Sequence, residues 1–158
     1  LGLPNTGKST IINKLANRNA SKAAQKPGQT TSILWVNVDK NLDILDTPGV
    51  MPPRIEVQAH AKWLSAIHAI PDHIVTPDES ACFIAQYLLD LKSSGFKEHY
   101  KFNSLDIDLV TACNHIGKLR GCLRSGGLYD YEHIYKIILG DFRKGAFGPI
   151  CFELPPVK

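Results

Sequence analysis

The sequence predicts an α/β domain built around a phosphate-binding loop, followed by a small helical domain. Three observations carry that prediction. GLPNTGKS, from Gly2 to Ser9, matches GxxxxGK[ST] in full and runs straight into a helical pattern. Two short β-branched, apolar runs follow, the second aimed at DTPG, from Asp46 to Gly49. The second half then reads as helices only. With 158 residues, 44% hydrophobic and 21% charged, the chain is long enough for a sizeable core. The pattern divides it into residues 1–78 and 79–158.

The elements are justified in chain order. STIINKLANR, Ser9 to Arg18, places Ile11, Ile12 and Leu15 at helical spacing, so a helix follows the loop. Residues 19–29, with Lys22, Lys26, Pro27 and Gly28, read as a loop. SILWVNV (32–38) and LDIL (42–45) flank the turn residues Asp39, Lys40 and Asn41 and should pair as antiparallel strands. After Pro52 and Pro53, a helix is expected from Glu56 to Ala69, apolar through Val57, Trp63, Leu64 and Ile67. IPDHIV, 70–75, reads as a last buried strand or an extended link. SACFIAQYLLDL, Ser80 to Leu91, stacks Phe83, Tyr87 and Leu88 at helical spacing, with Asp78 or Ser80 as its cap. Ser94, Gly95 and FKEHYKF read as a connection, and Leu105 to Gly117 as a helix through Ile107, Val110 and Ile116. LRGCLRSGGLYD is a glycine-rich turn, YEHIYKIILGDFRKG a final amphipathic helix and GPICFELPPVK an extended tail.

The chemistry concentrates in the first half. Glycines let successive backbone N–H groups curl around phosphates, and the helix N-terminus adds positive potential. That makes Asn5, Thr6, Gly7, Lys8, Ser9 and Thr10 nucleotide-binding candidates, with the Lys8 ammonium reaching the β and γ oxygens. The Ser9 hydroxyl is placed for Mg²⁺. Asp46, at the end of a strand, can hold the same ion through water, and Gly49 can offer its N–H to a γ-phosphate. Between them, PGQTT supplies Thr30 and Thr31, and Thr30 could close on magnesium when the γ-phosphate is present and let go after hydrolysis. Each motif alone also occurs as a plain turn or strand end. In this order they describe a switch nucleoside triphosphatase with Ser9, Thr30 and Asp46 as metal candidates and Lys8, Thr30 and Gly49 as catalytic ones.

Other features exclude or restrict classes. The net charge of +3 permits anionic partners without demanding them. Cys82, Cys113, Cys122 and Cys151 lack paired zinc spacing and read as reduced or buried thiols. No run approaches 18 apolar residues, so no membrane span is expected, and no targeting peptide is visible. KLRGCLR places Lys118, Arg120 and Arg124 together with no acid among them, and Arg143 and Lys144 form a second basic pair. Such clusters neutralise nucleic-acid phosphates or cap helix ends. Tyr129, Tyr131 and Tyr135 read as core packing before base stacking, and His60, His68 and His73 as surface or interhelix residues.

GLPNTGKSTIINKL, KPGQTTSILW, LDILDTPGVMPPRIE, KLRGCLRSGG and DFRKGAFG together resemble the circularly permuted GTPases that assist large ribosomal subunit assembly. Both the bacterial ribosome biogenesis GTPase A group and its mitochondrial relatives are covered, and DTPGV followed by PRIE is more similar to the mitochondrial branch. The resemblance implies GTP/GDP and Mg²⁺ as cofactors, and slow GTP hydrolysis that the ribosomal particle accelerates. It also implies that Asn-Lys-x-Asp, the guanine-recognition element, lies upstream of the phosphate loop. No such element follows Asp46, so the upstream half, with the strand that leads into Leu1, is expected outside this sequence. Where many small GTPases carry a water-orienting glutamine, Val50 stands here. By the same resemblance, residues 79–158 bind ribosomal RNA through Lys118, Arg120, Arg124, Arg143 and Lys144. The implied partners are large-subunit rRNA and ribosomal proteins of a maturing mitochondrial or bacterial ribosome. The implied place is the mitochondrial matrix, with peripheral association at the inner membrane left open, or else the bacterial cytoplasm. A non-catalytic ribosome- or rRNA-binding module with an incomplete nucleotide site, and an ATPase, remain as alternatives.

Overall fold

The computed structural model describes residues 1–17 and 32–152. The chain divides into two compact units, Leu1–Ile74 and Val75–Lys158. Thr30 and the rest of PGQTT lie outside the described residues, as does the end of the expected tail.

In the first unit, α1 spans Lys8–Leu15, β1 Leu34–Asp39, β2 Leu42–Asp46 and α2 Gln58–Ala66. The strands pair antiparallel, as their patterning predicts, with Trp35 opposite Leu45 and Val36 opposite Ile44. The register breaks between Asn37 and Asp39, a bulge next to the turn. Across that end, Asn37 Nδ2 donates to Asp43 Oδ1 at 2.9 Å. Alternation sends Val36, 3% exposed, and Asp46 to the face on which α1 packs, while Trp35, 69% exposed, stands on the other. Of the three apolar residues expected to seat α1, only Ile12 is buried; Ile11 and Leu15 face outward. Trp63, Ala66, Ala69 and Ile70 complete the buried set around α2. Residues 70–75 form turns and no strand, so the link reading of IPDHIV holds.

In the second unit, α3 spans Pro77–Asp90, α4 Ser94–His99, α5 Leu109–Arg120 and α6 Tyr131–Arg143. α3 packs on both α5 and α6, and α5 on α6. Ala81, Ile84, Leu88, Phe96, Ile116, Ile134 and Ile138 are buried at their centre. Each large apolar side chain removed from water there stabilises the unit by about 1.5–3 kcal/mol.

Three expectations about this unit are corrected. The cap of α3 is Thr76, not Asp78 or Ser80. Its Oγ1 accepts from the Glu79 N–H at 3.3 Å while Glu79 Oε2 accepts from the Thr76 N–H at 3.2 Å. Pro77 then takes the first helical position, where its missing N–H costs nothing. FKEHYKF is partly helical: Ser93 caps α4, and Phe96 and Tyr100 are fully buried, their rings 5.3 Å apart. Its single turn and a half is too short for periodicity to declare itself. Finally, α5 starts at Leu109 because the Asp108 carboxylate accepts from the Thr111 N–H at 2.9 Å. Those Thr111 bonds, from hydroxyl and backbone, hold the Asp108 carboxyl below the usual carboxylate range.

Most helices stop the same way. After α2, α3, α4, α5 and α6, a residue at positive φ carries the chain into a Schellman turn: His68, Lys92, Lys101, Gly121 and Gly145. Only the last two are glycines. All four cysteines are free thiols, and burial pushes Cys113 up to about 12, with smaller contributions from Cys82 and Asp108.

Candidate nucleotide-binding site

The site is built from the loop before α1 and the segment after β2. Gly7, at φ 85°, is a left-handed residue that turns the loop into the helix. It has no side chain to accept from the first-turn N–H groups of α1, and no acid sits in that turn. The exposed helix end therefore presents donors and positive potential to an anion, and Thr10 lies in that turn.

Side chains close the loop on itself. The Leu3 carbonyl accepts from Lys8 Nζ at 2.6 Å and from Thr6 Oγ1 at 2.8 Å. The ammonium thus lies folded back over the loop, half-buried, with the phosphate-loop backbone beneath it. Asn5 is left-handed at φ 57°, and its amide donates to the His68 carbonyl beyond α2.

DTPG meets this loop from the β2 side. Ser9 Oγ donates to Asp46 Oδ2 at 3.0 Å, and Asp46 is only 1% exposed. The Val50 N–H donates to the Gly2 carbonyl at 3.1 Å. A Cβ on Gly49 would lie 2.6 Å from the Pro4 nitrogen, so glycine is needed there for the two segments to touch. The Val50 side chain is exposed and brings neither donor nor acceptor. The structure therefore gathers Asn5, Thr6, Gly7, Lys8, Ser9, Asp46 and Gly49 around one loop.

A hydroxyl and a carboxylate are hard oxygen donors of the kind magnesium takes beside phosphate and water, so Ser9 and Asp46 fit that ion. Two further polar groups lie against these segments. The Thr47 hydroxyl is buried with no hydrogen-bond partner among the described residues, and its place directly after Asp46 was the available signal. The His68 carbonyl had none, because a backbone acceptor 63 positions away leaves no trace in residue type. His60 and His73 are exposed, and His68 Nε2 lies 3.9 Å from Asp72.

Among the basic candidates of the second unit, Arg120 and Arg124 meet acids. Arg120 Nη2 lies 3.1 Å from Asp141 Oδ2 and 2.9 Å from His99 Nε2, with its guanidinium 5.5 Å from the Tyr100 ring centre. Arg124 Nη2 lies 2.9 Å from Asp130 Oδ1. The run that carries no acid in sequence thus acquires acids through the fold. Lys118 is exposed at the end of α5, and Arg143 and Lys144 are exposed at the end of α6. The three tyrosines form a row of neighbouring rings, and the Tyr131 hydroxyl donates to Asn114 Oδ1 at 2.7 Å.

Residues 1–114 match the family model described as 50S ribosome-binding GTPase. The chain belongs to this family. It is 38% identical to Ribosome biogenesis GTPase A of Bacillus cereus over 155 residues, covering 98% of this chain and 52% of that protein. Against Ribosome biogenesis GTPase A of Thermotoga maritima it is 30% identical, covering 98% of this chain and 55% of the relative. Among solved structures, a GDP-bound YlqF matches with a TM-score of 0.59 at 26% identity, covering 97% of this chain and 58% of that one. The GTPase-domain fold and the kinship with bacterial ribosome-assembly GTPases expected from the sequence therefore stand. The chain spans about half the length of these two curated relatives.

Proposed function

We propose that this chain supplies the phosphate-binding part of a GTP-binding and GTP-hydrolysing switch that serves assembly of the mitochondrial large ribosomal subunit. Residues 1–78 are the C-terminal half of its permuted GTPase domain, and 79–158 its RNA-binding part. The observation that carries this reading is the convergence of Lys8, Ser9 and Asp46 at the open N-terminus of α1. There, Lys8 balances charge on the β and γ phosphates, loop N–H groups orient them, and Gly49 follows the γ-phosphate. Ser9, Asp46 and, from its sequence motif, Thr30 would hold magnesium, which supplies further charge neutralisation during phosphoryl transfer. With Val50 in place of a polar side chain, hydrolysis waits for the ribosomal particle. The test is a titration of the full-length protein with GTP, GDP and ATP in magnesium. GTP and GDP should compete for one site that ATP does not enter, and hydrolysis should rise on adding large-subunit precursors. ATP binding of equal strength would sink the reading.

For the RNA contact, Lys118 and Lys144 are favoured over Arg120 and Arg124, whose guanidiniums are engaged by acids. In the full-length protein, Lys118→Gln with Lys144→Gln should weaken rRNA binding and lower its salt slope by about 1 for each lysine. Arg124→Gln should change that slope by well under about 1, and a change of about 1, as for each lysine, would contradict the division.

A further inference from the structure

Asn5 holds a contact that phosphate binding does not require of it. Its backbone belongs to the loop, yet its side-chain amide reaches the carbonyl of His68, the left-handed residue that ends α2. The His68 N–H donates to the Ser65 carbonyl at 2.8 Å and the Ala69 N–H to the Leu64 carbonyl at 2.7 Å, the two bonds of the Schellman turn. Asn5 is itself at φ 57°, so one hydrogen bond joins two non-glycine residues that both occupy the sparsely populated left-handed region. α2 follows the DTPG segment, and Ala69 and Ile70 behind it are buried. Any change of the Asn5 backbone moves the amide that holds the end of α2.

We infer that Asn5 is a positioning residue whose side chain couples phosphate occupancy of the loop to the C-terminal turn of α2 through the His68 carbonyl. The inference rests on the nucleotide reading above and adds a route by which occupancy is felt beyond the loop. Phosphates that fix the loop N–H groups fix the Asn5 amide, and this steadies the turn at Ile67, His68 and Ala69. Asparagine suits the task because it tolerates the left-handed backbone while carrying a donor.

Hydrogen exchange of the full-length protein, read with and without saturating GDP and magnesium, tests this. In the parent, GDP should slow exchange at Lys8 to Ile12 and, by about fivefold, at Ile67 to Ala69. Asn5→Gly keeps the left-handed backbone and deletes the donor. At its own saturating GDP it should keep the slowing at Lys8 to Ile12 and lose it at Ile67 to Ala69. His68→Gly retains the accepting carbonyl and the helix stop, so both responses should persist. Without nucleotide, Asn5→Gly should exchange faster than the parent at Ile67 to Ala69, which keeps the test decisive if this variant binds GDP poorly. An undiminished response in Asn5→Gly, or equal nucleotide-free rates, overturns the coupling. A parent that responds at Lys8 to Ile12 but not at Ile67 to Ala69 also overturns it. No response at Lys8 to Ile12 would instead remove the nucleotide reading beneath it.

Discussion

Lys8→Ala should lower the affinity of the full-length protein for GTP by about 30- to 150-fold, the equivalent of about 2–3 kcal/mol for a charge-assisted contact to phosphate. The loss is chemical and not conformational. Lys8 is one of two donors to the Leu3 carbonyl, and Thr6 remains to hold that carbonyl. The bond from Val50 to Gly2 and the approach of Gly49 to Pro4 also survive, so the loop keeps its anchorage. The thermal midpoint without nucleotide should therefore change little. Stabilisation by added GTP, which follows the logarithm of ligand concentration over Kd, should shrink. A titration in which the variant binds GTP as the parent does would remove Lys8 from the site.

Asp141→Ala should destabilise the helical unit by about 2–4 kcal/mol, seen as a shift of its unfolding transition in denaturant. The Asp141 carboxylate, 17% exposed, accepts from the Tyr100 hydroxyl at 3.0 Å and from Arg120 at 3.1 Å, and lies 2.8 Å from His99 Nε2. Tyr100 is fully buried; that burial first, and the neighbouring carboxylate second, push its phenol well above the ordinary value. Without Asp141, a buried hydroxyl and a guanidinium lose their shared acceptor in one step. Asp141→Asn keeps an oxygen for Tyr100 and should cost less. Arg120→Ala should also cost less, because Arg120 is 38% exposed and water replaces part of what it loses. Equal costs for all three would show that no shared acceptor exists.

The site and its supports differed in how plainly they could be read. GLPNTGKS and LDILDTPG were legible because phosphate binding needs particular residue types at particular offsets along one strand-and-loop path. The β1 and β2 pairing was legible for a similar reason, since alternation and a short turn are both local. Helix ends were less so. The Schellman stops at His68, Lys92 and Lys101 carry none of the glycine or asparagine that marks such a stop, and α3 begins at Pro77, ahead of the caps expected at Asp78 or Ser80. The Arg120 and Arg124 partners were invisible because Asp130 and Asp141 come from the neighbourhood of a different helix.

By itself, the sequence determined the GxxxxGK[ST] loop, the hydroxyl of Ser9 and the carboxylate of Asp46 in their motifs, the two strands and the helical character of the second half. All of these are set by residue type and spacing over a few positions. Only the tertiary structure decided that the Asn5 amide meets the His68 carbonyl and that Ser9 meets Asp46. It also decided that Arg120 and Arg124 are tied to acids. Each of these is a contact between segments distant in the chain. Packing of the apolar faces brings them together, and which polar groups arrive beside one another depends on that packing and not on local pattern.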